Sequence, residues 1–571
     1  MYLKRSHYKS TGRTYLSINK SYWDPKAKKN KNESVMKIGY LDQFEKEMDD
    51  PISHFEALAQ KMTEEEESQS YATYEFNTKT HMQEGEDNVK NLGYIVLSKI
   101  YHELGIDKYL LSRQRKGKFK YNTNSIMQLL VFSRIIFPGS KLFAYKNKES
   151  FFERFNFELE DVYRSLSFFN EHKEGLQLWM HEHILKKYNR DTSLVYYDLT
   201  NYYFEIDQQD DFRRKGICKE HRPDPIVQMG LFMDRNGVPV SYKLFAGNEA
   251  DCMTLRPMVS ETSRNYSLGK IIVVADKGVI SSDNVWYVLS AKNGYIFSFS
   301  VRKSDQVFKD YVLDQKGYRW NKDKTFKSKS RLEPRTISVT STSGKKIKKQ
   351  VDEKQVIIYS EKYAKKSRHE REQVVKKALD LIKNPSKYDK AKSYGAAKYV
   401  KNLAFDPDTG EVLEDVRQNL VFDEEKFKEE SLYDGYYAIV TSEMHMQDNE
   451  ILDAYHGLWE IEETFKITKS YLEARPIYVS LKEHIEAHFL TCFISLVLIR
   501  LLEIKINKNF TVEEIINSIK KYNCSLLGQN LYMFTFYNDV IKEFEKIIDI
   551  DLSLKYVFLK DIKKYLGKMK K

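Results

Sequence analysis

The sequence predicts an α/β protein in which a mixed β-sheet is interrupted by a β-rich insertion and flanked by helical N- and C-terminal regions. Three observations predict this class. Residues 193–205 are rich in β-branched and aromatic side chains, as in a buried strand. Alternating strand and helix patterns follow as far as residue 301, beginning with a hairpin marked by the Asp-Arg-Asn-Gly turn at 234–237. Helical periodicity dominates residues 90–190 and returns after residue 446.

Two of the predicted strands carry a carboxylate. Asp198 lies in the middle of the strand 193–205, and an ionised Asp in a central strand needs a counter-charge or a metal. Asp276 comes at the end of the apolar strand 270–278, where α/β sheets place their ligands, although this second motif alone also fits a plain turn. The order strand, hairpin, helix, strand, helix and strand is that of an RNase H-like layer. In such a layer the two strands are neighbours, so both carboxylates could hold one metal pair.

Length and charge limit the classes of protein that fit. The chain has 571 residues and a formal net charge of +11, which suits several domains and a polyanionic partner such as nucleic acid. Its four cysteines have no paired spacing, which argues against a disulfide framework and a zinc site. The apolar window 487–499 is too short to span a bilayer, and the N-terminus has no apolar signal region. We therefore expect a soluble, intracellular protein.

A predicted helix over residues 451–470 carries charged side chains on its apolar face. The charged members of that face are Glu462, Lys466 and Lys469. Plain packing does not need these charges at three- and four-residue steps, whereas a metal-binding carboxylate with phosphate-binding lysines explains them. Glu460 and Glu463 compete with Glu462 for the role of the carboxylate.

These residues make the chain resemble the DDE transposases of bacterial insertion sequences, in the group whose third acidic residue lies in a Tyr-x2-Arg-x3-Glu-x6-Lys helix. That register consists here of Tyr455, Leu458, Glu462 and Lys469. Leu458 therefore stands where the motif has Arg. Asp198 in Tyr-Asp-Leu-Thr and Asp276 in Ala-Asp-Lys-Gly match the first two acidic motifs. Further matching segments are residues 137–141, 221–224, 247–251, 465–466, 475–476 and 484–500.

The resemblance implies a metal-dependent enzyme that cuts and joins DNA. Asp198 would bridge two divalent ions, Mg²⁺ or Mn²⁺, and Asp276 and Glu462 would each complete one of them. Lys469 with Tyr455 would hold DNA phosphates near the cut.

The missing arginine and the partners follow from the same resemblance. In the family the motif Arg contacts a phosphate near the end of the element, so here that contact would pass to Lys466 or be absent. The implied partners are the terminal inverted repeats, the target DNA and a second copy of the chain, because two element ends must be held in one synaptic complex. The implied location is the bacterial cytoplasm, in association with the nucleoid.

Pattern and resemblance together divide the chain into six segments. We expect a small β-rich unit over 1–60, a helical DNA-binding region over 61–190, the first part of the catalytic core over 191–301, a β-rich insertion over 302–445, the second part of the core over 446–505 and a helical C-terminal region over 506–571.

Other interpretations stay open at this point. Asp198 could be a structural carboxylate capped by Thr200 or by a lysine, and Thr200 and Asn284 are candidates for orienting the metal ligands. For the whole protein, the alternatives to a transposase are a decayed or domesticated copy that only binds DNA and an RNase H-like nuclease without strand transfer.

Overall fold

The computed structural model describes residues 1–571 with the exception of 25–28, 47, 69–78, 118, 221, 267, 385–395 and 403–419. His221, in one of the matching segments, and parts of the predicted insertion therefore lie outside the described residues. The described chain forms two compact units, residues 1–86 and 87–571.

The N-terminal unit is a three-stranded antiparallel sheet with two helices. Its elements are β1 (Tyr2–Tyr8), β2 (Arg13–Asp24), β3 (Lys29–Tyr40) and the helices Leu41–Phe44 and Pro51–Ser68. Leu16 and Ile18 of β2 are fully buried. Arg5, which is paired with Leu16 across the sheet, forms an ion pair with Glu56 of the second helix. The apolar face of the central strand is thus the face that the helices cover.

The second unit is organised by a nine-stranded mixed sheet. Its strands, with those of the smaller sheets, are β4 (Val89–Asn91), β5 (Leu194–Tyr203), β6 (Ile226–Asp234), β7 (Pro239–Ala246), β8 (Ile272–Ala275), β9 (Gly294–Phe299), β10 (Arg319–Trp320), β11 (Phe326–Leu332), β12 (Arg335–Thr340), β13 (Lys346–Val351), β14 (Lys354–Ser360), β15 (Val400–Asn402), β16 (Leu420–Phe422), β17 (Tyr436–Thr441), β18 (Asn523–Gly528), β19 (Leu531–Phe534) and β20 (Tyr556–Phe558). The order in the large sheet is β10-β11-β14-β17-β9-β8-β5-β6-β7. β5, β8 and β9 run parallel and the other neighbours antiparallel, which confirms the expected α/β class with a large mixed sheet.

Helices make up much of the rest of the second unit. They are Ile95–Glu103, Ile106–Gln114, Thr123–Ile136, Lys141–Lys146, Leu159–Glu171, Lys173–Tyr188, Asp251–Asn265, Ser282–Ser290, Gln306–Leu313, Glu361–Lys383, Glu424–Ser431, Asp448–His456, Leu458–Lys466, Lys482–Lys505, Val512–Lys521, Asp539–Ile548 and Leu559–Met569. Lys482–Lys505 is long and apolar enough to cross a membrane, but its apolar window is wholly buried inside the protein. It is longer than the predicted window 487–499, because buried polar side chains such as Glu486 and Arg500 find partners within the core.

The two faces of β5 belong to different cores. Tyr196 and Tyr202 pack in the main core, together with the helix Lys482–Lys505. Val195 and Tyr197 point to the other face and pack in a second core, with the helices Asp251–Asn265 and Ser282–Ser290. β5 is therefore a central strand buried on both faces, as its composition predicts.

Segment 302–445 extends the large sheet at one edge. β17 pairs with β9, and β14 pairs with β17, so that β10, β11, β14 and β17 continue the sheet beyond β9. The sequence predicts a β-rich insertion here, whereas the structure adds its strands to the large sheet. The difference arises because residues 356–358 and 438–440 are fully buried, and strands of this kind need partners at both edges.

The last segment contains strands as well as the expected helices. β18, β19 and β20 form a four-stranded sheet with β4, which precedes the whole large sheet in the chain. These strands have only three to six residues. A strand so short, paired with a distant part of the chain, leaves no local pattern in the sequence.

A buried ion pair fixes the β6–β7 hairpin. Arg190 Nε lies 2.9 Å from Asp234 Oδ2, and the two side chains are 0% and 1% exposed. Asp234 Oδ1 also accepts hydrogen bonds from the backbone N–H groups of Asn236 and Val238, while Arg190 Nη2 donates to the Pro239 carbonyl. Both charges therefore depend on each other and on the turn between the strands.

We expect Arg190→Met to lower the free energy of unfolding by about 3–5 kcal/mol, because it leaves the Asp234 carboxylate buried without a counter-charge. Arg164→Met is the matched control: Arg164 pairs with Glu160 at an exposed site, and its loss should change the free energy by less than about 1 kcal/mol. Urea unfolding followed by far-UV circular dichroism measures both. Equal losses in the two variants would contradict a structural role for the buried pair.

Candidate active site

Asp198 and Asp276 lie side by side on neighbouring parallel strands. β5 and β8 are paired with Tyr197 opposite Ala275, so the next residues of the two strands are the two aspartates. β8 ends at that point, whereas β5 continues to Tyr203. The register of one strand pair thus brings two carboxylates together at the carboxyl end of β8.

Burial and neighbouring negative charges destabilise the ionised form of Asp198. Burial raises its pKa to about 6; the negative charges of Asp276 and Glu462 act in the same direction, and Lys219 and the backbone N–H of Leu199 act against them. Glu462 is therefore close enough for its charge to act on Asp198. Three carboxylates of one site repel one another, as in sites that bind cations.

Asp276 accepts hydrogen bonds from two side chains. Ser298 Oγ on β9 donates to its Oδ1 at 2.7 Å, and the hydroxyl of Tyr455 donates to the same oxygen at 3.3 Å. Burial raises the pKa of Tyr455, so its hydroxyl remains a donor. The sequence predicts a DNA contact for Tyr455; in the protein alone this hydroxyl faces the second carboxylate instead.

Glu462 lies on a short helix packed on β5. The predicted continuous helix 451–470 is broken at Gly457, between the helices Asp448–His456 and Leu458–Lys466. A Cβ at Gly457 would collide with the hydroxyl of Tyr196, so only glycine allows this close approach to β5. The break brings the glutamate helix down onto the face that carries Asp198.

The three glutamates of this helix have different neighbours. Glu460 lies 3.4 Å from Lys508, and Glu463 lies 3.9 Å from Arg500. Glu462 is exposed, and its charge acts on Asp198. Glu462 therefore stays the predicted third carboxylate, since its two competitors lie near cations of their own.

The remaining motif positions differ in their surroundings. Lys466 is exposed, one turn after the glutamate. Lys469 lies in a π-helical turn, Ile467–Tyr471, and its Nζ is 2.9 Å from Glu220 Oε1. Leu458, which replaces the arginine of the motif, packs against the main core.

Thr200 and Asn284 are tied to the segments that carry the first two carboxylates. Thr200 is buried on β5, on the same face as the first aspartate. Asn284 is fully buried and donates to one carbonyl of the helix Asp251–Asn265 and one of the turn Lys277–Val279, both at 2.7 Å. It thereby fixes the turn that follows Asp276.

The donor chemistry of the site suits a hard divalent cation. The adjacent carboxylates Asp198 and Asp276 offer the oxygen ligands that Mg²⁺ prefers, and a cation would relieve the repulsion between them. Within the part of the chain that the structure describes, no group of three or more His, Cys, Asp or Glu side chains is close enough to hold a metal ion. With Glu462 the carboxylates therefore do not form a closed ligand set in their present side-chain positions.

Sequence reasoning missed four residues around the carboxylates. They are Lys219, Glu220, Ser298 and Arg475. The only sequence signal was that Arg475 belongs to one of the matching segments, where it had no assigned role.

A family model described as a transposase DDE domain matches residues 204–498, more than half of the chain. The chain belongs to the DDE transposases. Asp276 and Glu462 lie inside the matched range, and Asp198 lies just before it. A second model, for the N-terminal domain of IS1634 family transposases, matches residues 3–73. The protein is therefore an insertion-sequence transposase, an enzyme that acts on DNA with divalent metal ions, and the resemblance found in the sequence is confirmed.

Individual proteins support this assignment less than the two family models do. No curated protein matches this transposase. Among solved structures it is similar to a cryo-EM structure of a piggyBac transposase synaptic complex with hairpin DNA, with 5% identity, 84% of each chain covered and a TM-score of 0.35. A similarity at this TM-score carries no argument about the fold. The fold of this transposase is judged from its own strand order.

We expect Asp198→Asn to raise the melting temperature of the metal-free transposase by about 1–4 °C, because it removes a buried charge that the folded state disfavours. The pKa of Asp198 is raised from 3.8 to about 6, so the advantage of the variant should be absent below pH 3.8, grow between these values and be complete at neutral pH. Differential scanning calorimetry over this pH range measures it.

Mg²⁺ supplies the control for this prediction. A bound ion stabilises the folded state, so Mg²⁺ should raise the melting temperature of the wild type and not that of Asp198→Asn. A variant that melts below the wild type at neutral pH would instead mark Asp198 as a structural hydrogen-bonding group.

Proposed function

We propose that this transposase cuts DNA at the terminal inverted repeats of its element and joins the ends to target DNA, with Asp198, Asp276 and Glu462 as its catalytic carboxylates. The observation that carries the assignment is the β5–β8 register, which sets the first two carboxylates side by side. The charge of the third acts on the first from the facing helix.

We propose two Mg²⁺ or Mn²⁺ ions as the cofactor, with Asp198 as the shared ligand and Asp276 and Glu462 as ligands of one ion each. When bound, such ions stabilise the attacking and leaving oxygens of an in-line displacement. Glu462 is exposed and its charge acts on Asp198, and we propose that a rotamer change brings its carboxylate to the ions. Ser298 and Tyr455 keep Asp276 Oδ1 in place before the ions bind.

We assign the part of the large sheet that carries the carboxylates to the RNase H-like fold. Its support is the order β9-β8-β5-β6-β7, in which an antiparallel β5-β6-β7 meander is followed by the parallel strands β8 and β9. We assign residues 191–301 and 446–505 to this core, 302–445 to the insertion and 506–571 to the C-terminal region. Residues 1–60 and the helical region 61–190 are proposed to contribute DNA contacts.

A basic cavity beside Asp276 is the proposed path for part of the DNA. The cavity measures about 490 Å³ and is lined by Lys277, Arg302, Lys362 and Lys366 together with tyrosines such as Tyr437. Cations that neutralise phosphates and aromatic rings that stack on bases are the usual composition of a nucleic-acid groove. Because the two ends of an element must be cut together, we propose that two copies of the chain act in a synaptic complex.

We expect Asp198→Asn, Asp276→Asn and Glu462→Gln each to abolish Mg²⁺-dependent cleavage while leaving DNA binding nearly intact, because each removes a ligand charge without changing shape. Glu463→Gln is the matched control, since Glu463 sits beside Glu462 but faces Arg500, and it should cut like the wild type. The assay maps new 3′-hydroxyl ends on a DNA fragment that holds the gene and its flanks.

Other outcomes of the same assay separate the rival functions. Binding at the repeats without cutting by the wild type would indicate a decayed copy, for which the apolar Leu458 is the first suspect. Cutting without joined products would indicate a nuclease. Full cleavage by any of the three variants would remove that residue from the site.

A further inference from the structure

Glu220 occupies a cluster of cations beside the catalytic carboxylates. Lys469 Nζ lies 2.9 Å and Arg475 Nη1 2.8 Å from the same oxygen, Glu220 Oε1, while Cys218 Sγ donates to Oε2. Burial alone would raise the pKa of Glu220, but these partners hold it at about 2. The carboxylate is therefore ionised at every physiological pH.

The segment that carries Glu220 is fastened to the free edge of β5. Beyond the end of β8, the Leu199 carbonyl accepts a hydrogen bond from Lys219 Nζ at 2.7 Å, and Asn201 Nδ2 donates to the Ile217 carbonyl at 3.0 Å. Lys219 is the cation that lowers the pKa of Asp198. The cation cluster thus begins immediately beside the cutting site.

A buried polar network fixes the backbone that precedes Arg475. Arg134 Nη1 donates to the Glu473 carbonyl at 3.1 Å, and His488 Nε2 donates to the Ala474 carbonyl at 2.9 Å. Lys141 donates in turn to His488 Nδ1 at 2.5 Å. Arg134, Lys141 and His488 are all at least nine-tenths buried, so the backbone that leads into Arg475 is fixed by the core.

One carboxylate satisfies these cations poorly. Lys469 and Arg475 both approach a single oxygen, and Arg475 Nη1, although buried, makes no aligned hydrogen bond within the described residues. A phosphodiester has two non-bridging oxygens and could serve each cation separately. The cluster therefore has the positive charge of a phosphate site, and a carboxylate holds the place of the anion.

We propose that Lys469 and Arg475 form a clamp for a DNA backbone phosphate, and that Glu220 fills this clamp until DNA displaces it. Arg475 then provides the second cation that the motif position occupied by Leu458 lacks. This inference rests on the proposed function, because it takes the bound polyanion to be the DNA that the carboxylates cut.

The decisive experiment is a binding cycle in EDTA, where no strand is cut. The probe is a labelled DNA fragment that holds the gene and its flanks. Glu220→Gln keeps the shape but frees both cations, so it should bind this fragment about tenfold more tightly than the wild type. In a Lys469→Ala/Arg475→Ala background the same substitution should give no gain, since there is no clamp left to free.

Glu261→Gln is the matched control for the charge change. Glu261 forms one ion pair, with Lys243, and is 30% exposed against 25% for Glu220. It lies toward the far end of the helix Asp251–Asn265 and should leave the affinity unchanged. An equal gain in affinity in this variant, or in both backgrounds of the cycle, would show that any lost negative charge strengthens DNA binding. That result would overturn the clamp.

Single variants keep the inference testable if Glu220→Gln fails to fold. Arg475→Ala should weaken binding and lower the slope of log Kd against log salt by about 0.9, the value for one lost phosphate contact. An unchanged affinity and slope would overturn the role of Arg475. Cleavage is measured separately with Mg²⁺: if Asp198→Asn abolishes it while the binding cycle shows no coupling, only the clamp fails, whereas cutting by Asp198→Asn would refute the proposed function instead.

Discussion

The register between β5 and β8 is the constraint on which the rest of this transposase depends. It brings Asp198 and Asp276 into adjacent positions, and adjacent carboxylates in a partly buried site destabilise the fold that holds them. The surrounding donors are what make the arrangement tolerable: Ser298 and Tyr455 bind Asp276, and Lys219 acts on Asp198. The central sheet thus stores an unfavourable charge arrangement that a divalent cation would relieve.

The main core supports this site on the face of β5 that carries Asp198. The helix Lys482–Lys505 is apolar enough to be mistaken for a membrane span, yet it carries buried polar side chains at intervals. His488 holds the backbone at Ala474, and Arg500 binds Thr464 on the glutamate helix. These contacts tie the core to the two segments that bear Glu462 and Arg475. Polar groups inside the core therefore position the site as well as stabilise the helix.

Local sequence signals led to the predicted site residues. A charge inside a β-branched strand marked Asp198, an apolar strand ending in a carboxylate marked Asp276, and a motif register chose Glu462 over its neighbours. Non-local features were out of reach. The break at Gly457 depends on the hydroxyl of Tyr196, which is remote in the chain.

The other misses have the same cause. β14 and β17 join the central sheet, and β18 pairs with β4, through partners that no local pattern indicates. The contact of Tyr455 with Asp276 and the placement of Glu220 among its cations also arise only when distant segments meet.

In the protein without DNA, several charged groups around the site already have a partner of the kind that substrate or metal would replace. Glu220 contacts Lys469 and Arg475 in the place proposed for a phosphate, and the Lys219 ammonium acts on Asp198 in the place proposed for a metal ion. Binding is then an exchange of partners, and its free energy is the difference between two well-paired states. A difference of this kind is small for any single contact, so tight binding requires several exchanges at once. Only a polyanion that reaches the proposed clamp and the basic cavity beside Asp276 together can make several of them, which favours DNA held across the whole site over short or free anions.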